Sequence, residues 1–229
     1  MLDLAKYQLD IGLFTNQRDE MLSFWQGLPG VAYEGPLSVG GGVQQHRHQL
    51  RGSIIKVNHA RGEIPRVPPA GYTEVLIADP ERDAPEATRD PEGTKVWRVP
   101  PGYRGISQMA VTTRVRDLEA HKAFWGDVLG LPPAPRSGDN AFRIGDSVVF
   151  LEQDDDAPAD AAMQGPGFRY LTLQVWDADA AHAGVLERGG TEGRPAITHG
   201  TVARYSFVRD PDGNWIELSQ RGSLTGPVA

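Results

Sequence analysis

Arg209-Asp210-Pro211-Asp212-Gly213-Asn214-Trp215-Ile216-Glu217-Leu218 reads as a tight turn running into a strand. Proline presets φ, aspartate bonds the backbone of its own turn, and glycine admits positive φ. In the strand that follows, alternation puts Trp215 and Glu217 on one face and Asn214, Ile216 and Leu218 on the other. Glu217 therefore points the same way as a large aromatic ring. A carboxylate so placed is either a solvated strand residue or a group aimed into a concave site.

Working outward, the turn has a second copy at Arg89-Asp90-Pro91-Glu92-Gly93. Phe24-Trp25 likewise recurs as Phe124-Trp125, each pair on a helical stretch that ends in glycine. The chain thus divides into halves, residues 1–100 and 101–229, joined at Pro100-Pro101-Gly102.

The first half opens with an alternating strand, Tyr7 to Thr15. Asn16 is placed to cap the helix that carries Met21, Leu22, Phe24, Trp25 and Leu28. Three strand-like runs follow, Val31 to Val39, Val43 to Leu50 and Ser53 to Asn58, separated by Gly40-Gly41-Gly42 and Arg51-Gly52. The unit starting at Gly71 is truncated, because Asp79-Pro80-Glu81-Arg82-Asp83-Ala84-Pro85 is too short and proline-rich for a helix. The second half repeats the strand–helix–strands order twice. Its helices run from Asp117 to Leu129 and from Ala178 to Arg188, and its closing strands from Ala203 to Val208 and from Asn214 to Ser219.

Composition narrows the function classes. The 229 residues carry a net charge of −7, which disfavours nucleic acid and acidic membrane surfaces as partners. There is no cysteine, so disulfides, thiolate metal sites and thiol nucleophiles are excluded. No apolar run is long enough to span a bilayer, and the N-terminus lacks the basic and apolar regions of a signal peptide, so a cytoplasmic location is expected.

The Arg209–Leu218 segment, with Asp117-Leu118-Glu119-Ala120 and Phe124-Trp125-Gly126-Asp127-Val128-Leu129-Gly130-Leu131, resembles the vicinal oxygen chelate superfamily, the glyoxalase, bleomycin-resistance and extradiol-dioxygenase group. That resemblance implies an α+β fold: repeated βαβββ modules forming two curved, partly open mixed β-barrels with flanking helices. It implies a small oxygenated or aromatic molecule as substrate, lyase, isomerase or dioxygenase-type chemistry, and no organic cofactor. A homodimer is compatible with it.

The resemblance also implies a divalent metal, Fe, Mn, Ni, Zn or Mg, held where module strands converge. Carried onto the C-terminal half, the ligand positions fall on Gln108, Glu152, Tyr170 and Glu217. Gln108, Glu152 and Glu217 are acceptable ligands, with Glu152, Glu217 and His199 as catalytic groups. Tyr170 stands where histidine is usual, and a neutral phenol, with a pKa of about 10, is a poor ligand. The other expectation is therefore a metal-free binding protein like the drug-sequestering members. Tyr170, Phe207, Trp215 and Arg204 would contact its ligand. Ring cleavage is less well supported, because Phe207 replaces the tyrosine and His199 sits one residue out of register.

In the N-terminal half the same positions are Asp10, Lys56, Tyr72 and Trp97, a set unsuited to a metal. His46 and His48 share a strand face, His121 and His182 read as helix surface residues, and the Glu152–Asp156 acidic run reads as a loop beyond a strand end.

Overall fold

A computed structural model describes residues 1–228. Strand β1 (Asp10–Thr15), helix α1 (Arg18–Gln26), β2 (Val31–Ser38), β3 (Val43–Leu50) and β4 (Ser53–Ala60) form the first unit. The second has strands alone, β5 (Tyr72–Ala78), β6 (Glu86–Arg89) and β7 (Lys95–Val99), as the proline-rich stretch predicts. The third contains β8 (Met109–Val115), α2 (Leu118–Ala123), β9 (Ala141–Ile144) and β10 (Ser147–Gln153). The fourth contains β11 (Gly167–Gln174), α3 (Ala178–Glu187), β12 (Thr191–His199), β13 (Ala203–Arg209) and β14 (Trp215–Arg221).

These strands build two open mixed sheets. One has eight strands in the order β12-β13-β14-β11-β1-β4-β3-β2, and the other six in the order β6-β7-β5-β8-β10-β9. Antiparallel β1 and β11 join the first unit to the fourth, while β5 and β8 join the second to the third. The expected division at residue 100 therefore does not separate the sheets, since each takes strands from both sides of it. The eight-stranded sheet curls until its two edges approach: His199 Nε2 on β12 lies 3.0 Å from the Ser38 carbonyl oxygen on β2.

One core fills the space shared by the sheets. Ile11, Leu13 and Leu171 meet Val75, Val111 and Val149, with Trp25 and Trp125 inserted from the helical segments. The repeated Phe-Trp pairs keep one geometry, edge-to-face at 5.4 Å for Phe24–Trp25 and 5.9 Å for Phe124–Trp125. Both tryptophans are fully buried, and truncating either is expected to cost about 3–5 kcal/mol. After α2 the helix widens into a π-turn over Phe124–Val128, with the Leu129 amide donating to Phe124.

The repeated turns also match. The Gly93 amide donates to Asp90 and the Gly213 amide to Asp210, each at 2.9 Å, with both glycines at positive φ. Asn16 does not cap α1. The Gln17 amide donates to Thr15 Oγ1, while the Asn16 side chain ties Ala60, Gly62 and Ile64 together. His121 and His182 are not surface residues either. His121 is fully buried with Nε2 3.1 Å from Asp212, fastening α2 to the last turn, and His182 Nε2 lies 2.9 Å from Glu192.

Candidate functional site

The concave face of the eight-stranded sheet is lined by alternate residues of its central strands. Asp10, Gly12 and Phe14 come from β1, Lys56 and Asn58 from β4, and Tyr170, Thr172 and Gln174 from β11. Glu217 and Ser219 of β14 stand beside Thr172 and Gln174. Between these strands and the curled edges lies a cavity of about 290 Å³. This is close to the lower bound of about 300 Å³ for small-molecule pockets.

Its wall is aromatic. The Tyr170 ring lies 6.2 Å from Phe14 and 5.9 Å edge-on from Phe207, which meets Tyr205 at 5.9 Å. Tyr170 lies flat on β1 because residue 12 has no side chain: a Cβ there would sit 2.0 Å from Tyr170 Cε1. Asn58 Nδ2 donates to the Tyr170 hydroxyl at 3.1 Å and Gln45 Nε2 to Asn58 Oδ1 at 3.1 Å. Burial, then the negative charge of Glu217, pushes the Tyr170 phenol well above its ordinary pKa, so it is neutral at physiological pH.

The floor is charged and internally paired. Lys56 Nζ donates to Glu217 Oε2 at 2.6 Å and to Thr172 Oγ1 at 2.7 Å, and the Thr172 hydroxyl donates to the same Glu217 oxygen at 2.6 Å. The Lys56 ammonium also lies 5.4 Å from the centre of the Tyr170 ring. Deeper still, the fully buried Asp10 accepts from the Ile54 amide at 2.7 Å, from Gln174 Nε2 at 2.9 Å and from Lys6.

Glu217, Tyr170, Phe207 and His199 line this cavity. Gln108 and Glu152 do not join them, which corrects the expected ligand set. Gln108 Nε2 donates to the Leu50 carbonyl at 2.9 Å and to Ser53 Oγ at 2.8 Å, stitching the start of β8 to the β3–β4 hairpin. Glu152 lies on β10 of the other sheet, half exposed, 4.0 Å from Arg104 and bordering a separate cavity with Glu74, Lys95 and Arg114. Arg204 is held outside by Asp179 of α3. Trp215 faces inward but stops behind Phe207, its Nε1 donating to the Ala161 carbonyl at 2.7 Å. The physical reason is the strand order. With β11 paired to β1, Glu217 meets Lys56 of the first unit and not Glu152 of the third.

Lys56, Asn58 and Thr172 escaped assignment to this site from sequence. One signal was present in Ile54-Ile55-Lys56-Val57-Asn58, where polar residues occupy alternate positions of an apolar run. Such a pattern marks a strand with a polar, enclosed face.

The donor set does not fit a divalent metal. Of the groups around Glu217, Lys56 is a cation, Tyr170 a neutral phenol, and the Asp10 oxygens are taken by their own donors. Among the described residues no three histidines or carboxylates come together as a metal-holding group. No helix among them is long and apolar enough to cross a membrane.

Residues 106–218 match the model of the Glyoxalase/Bleomycin resistance protein/Dioxygenase superfamily. Glyoxalase I from Zea mays superposes with a TM-score of 0.70 at 14% identity, over 96% of this chain and 92% of its own. A putative dioxygenase from Bacillus subtilis superposes with a TM-score of 0.66 at 12% identity, over 96% and 85%. Likeness at such identities shows the fold. No curated protein matches the sequence significantly.

Proposed function

We propose that this chain, which belongs through residues 106–218 to the Glyoxalase/Bleomycin resistance protein/Dioxygenase superfamily, binds a small molecule in the eight-stranded sheet without a metal ion. The observation that carries this reading is Lys56. Its ammonium stands against Glu217 and Thr172, where a bound cation would have to sit. A metal drawn to Glu217 would have to displace a paired ammonium and would find no second free carboxylate.

What remains is a cavity suited to a compact, flat molecule. Phe14, Tyr170, Tyr205 and Phe207 offer apolar faces and edges, and Gln45, Asn58 and Gln174 offer amides for polar substituents. Part of this lining, including Phe14, Gln45, Lys56 and Asn58, lies before residue 106. The ligand is therefore gripped by both ends of the chain. Binding of this kind matches the drug-sequestering expectation better than metal-assisted lyase, isomerase or dioxygenase chemistry, whose expected ligand set would bring Gln108 and Glu152 beside Glu217.

The test combines elemental analysis of protein purified without chelator with melting and tryptophan-fluorescence titrations against a panel of aromatic compounds. The expected result is below a tenth of an equivalent of transition metal, no stabilisation by Fe(II), Mn(II), Ni(II) or Zn(II), and saturable stabilisation by aromatic ligands. Stoichiometric metal, or stabilisation by metal with none by any organic compound, overturns the reading.

A further inference from the structure

We infer that the molecule this cavity takes is an acid, a compact aromatic carboxylate whose anionic end is held by Arg221. The inference rests on the small-molecule reading above and adds the charge of the ligand to it.

The argument comes from accounting for each charge around the cavity. Lys56 is paired with Glu217, and Lys6 with Asp10. Arg47 has Glu34 at 3.4 Å and Gln45 Oε1 at 3.2 Å. Arg194, exposed at the rim, lies over the Trp215 ring at 5.6 Å. Arg221 differs in having no direct partner, although Asp10, Glu217 and Glu34 lie within electrostatic range of it. It follows Glu217 and Ser219 on the same face of β14, and it lines both the aromatic cavity and a second cavity of about 380 Å³ lined also by Lys6, Asp10 and Arg47. Among the described residues its guanidinium has no ion pair and no hydrogen-bond acceptor.

Arg221 is half-buried, and a guanidinium that has lost part of its water without gaining a direct partner is costly. Burial lowers the Arg221 pKa and the neighbouring charge of Arg47 lowers it further, a fall that the more distant carboxylates Asp10, Glu217 and Glu34 offset only in part. A bound anion relieves both effects. A single free planar guanidinium suits a carboxylate, which it binds through two parallel N–H···O bonds. A phosphate dianion would bring a second charge that the paired Lys56 and Lys6 cannot answer. Along β14 the rings of Tyr205 and Phe207 stand level with Ser219 and Glu217, so a compact ligand with its carboxylate at Arg221 sets its ring against Tyr205 and Phe207.

The test uses matched probes: naphthalene-2-carboxylate, indole-3-acetate and 3-phenylpropanoate, each with its neutral carboxamide, and naphthyl phosphate. Affinities are measured by calorimetry on the full chain, on Arg221→Gln and on Arg221→Lys, with melting curves establishing that each variant is folded. The expected result is at least a tenfold preference of the wild-type chain for a carboxylate over its carboxamide. That preference collapses in Arg221→Gln, is partly restored in Arg221→Lys, and exceeds any preference for the phosphate. Carboxamides that bind as well as carboxylates, a phosphate preferred over every carboxylate, or a preference untouched by Arg221→Gln each overturn the inference while leaving small-molecule binding intact. Binding of none of the probes overturns that reading and this inference together. Should Arg221→Gln fail to fold, the wild-type carboxylate-to-carboxamide ratio together with Arg221→Lys decides the matter.

Discussion

Lys56 and Glu217 are 161 positions apart in sequence and 2.6 Å apart in space, and together they close the floor of the cavity. Both are almost fully enclosed, with 5% and 11% of their side chains exposed. Removing one partner leaves a buried charge without its counter-charge. Lys56→Met or Glu217→Gln alone is expected to destabilise the chain by about 3–5 kcal/mol, while the double variant loses much less than the sum. Denaturant unfolding of all four proteins checks this. Additive losses would show that the pair is not coupled.

The second prediction concerns latent metal binding. Tyr170→His is expected to leave metal affinity unchanged, because Gln108 and Glu152 lie elsewhere and the Lys56 ammonium remains beside Glu217. Combining it with Lys56→His removes the ammonium and gives Glu217 two imidazole neighbours. The double variant should gain roughly 2.7 kcal/mol of stability when free Ni(II) or Zn(II) is about a hundred times the dissociation constant. Melting curves with and without metal distinguish the two variants. A response from Tyr170→His alone would contradict the placement of Lys56.

Gly12 makes room for the Tyr170 ring, and its methyl-bearing replacement would meet that ring at 2.0 Å. Gly12→Ala is therefore expected to cost about 1–3 kcal/mol through overpacking. Gly12→Ala combined with Tyr170→Leu should recover part of the loss, since the flexible side chain can move aside. The same substitution tilts Tyr170 into the cavity, so ligand affinity should fall along with stability. Stability and ligand titrations on both variants provide the check.

A pH effect follows from the repeated turns. Burial pushes the Asp90 carboxyl up to about 6, although its Oδ1 accepts from the Glu92 and Thr94 amides. In the unfolded chain the same group titrates near about 3.9. Below that pH both states hold the proton and nothing is lost. As pH rises towards 6 the unfolded state releases its proton first, so this group draws stability down, by at most about 3 kcal/mol above pH 7. Asp90→Asn keeps the acceptor oxygen and removes the titration. Relative to wild type its stability should climb between about pH 4 and 7 and then level off, as read from unfolding curves at a series of pH values. A flat difference across that range would mean that Asp90 is not raised.

Short-range chemistry made much of the fold legible. Asp-Pro-acid-Gly sets a turn wherever it occurs, so the turns at Asp90 and Asp210 could be placed from sequence, and alternation put Glu217 and Trp215 on one face. Strand β12 was not legible: Gly193 and Pro195 interrupt its pattern, its register against β13 shifts twice, and most of it is exposed. His121 misled for a related reason, since its burial depends on Asp212, which the turn brings across from the far end of the domain.

By itself, the sequence determined the units, their order and the face that Glu217 shares with Trp215, and the resemblance put a phenol, Tyr170, where a metal site would have an imidazole. Only the tertiary structure decided what Glu217 meets. The first strands β1, β5, β8 and β11 all present the same unpaired amides and carbonyls along one edge, and backbone groups carry no record of which partner they are to bond. The choice of β11 for β1, and of β8 for β5, is settled by how side chains from the whole chain pack into the core between the sheets. That choice set Lys56 against Glu217, sent Glu152 to the other sheet, and left Arg221 unpaired at the end of the cavity.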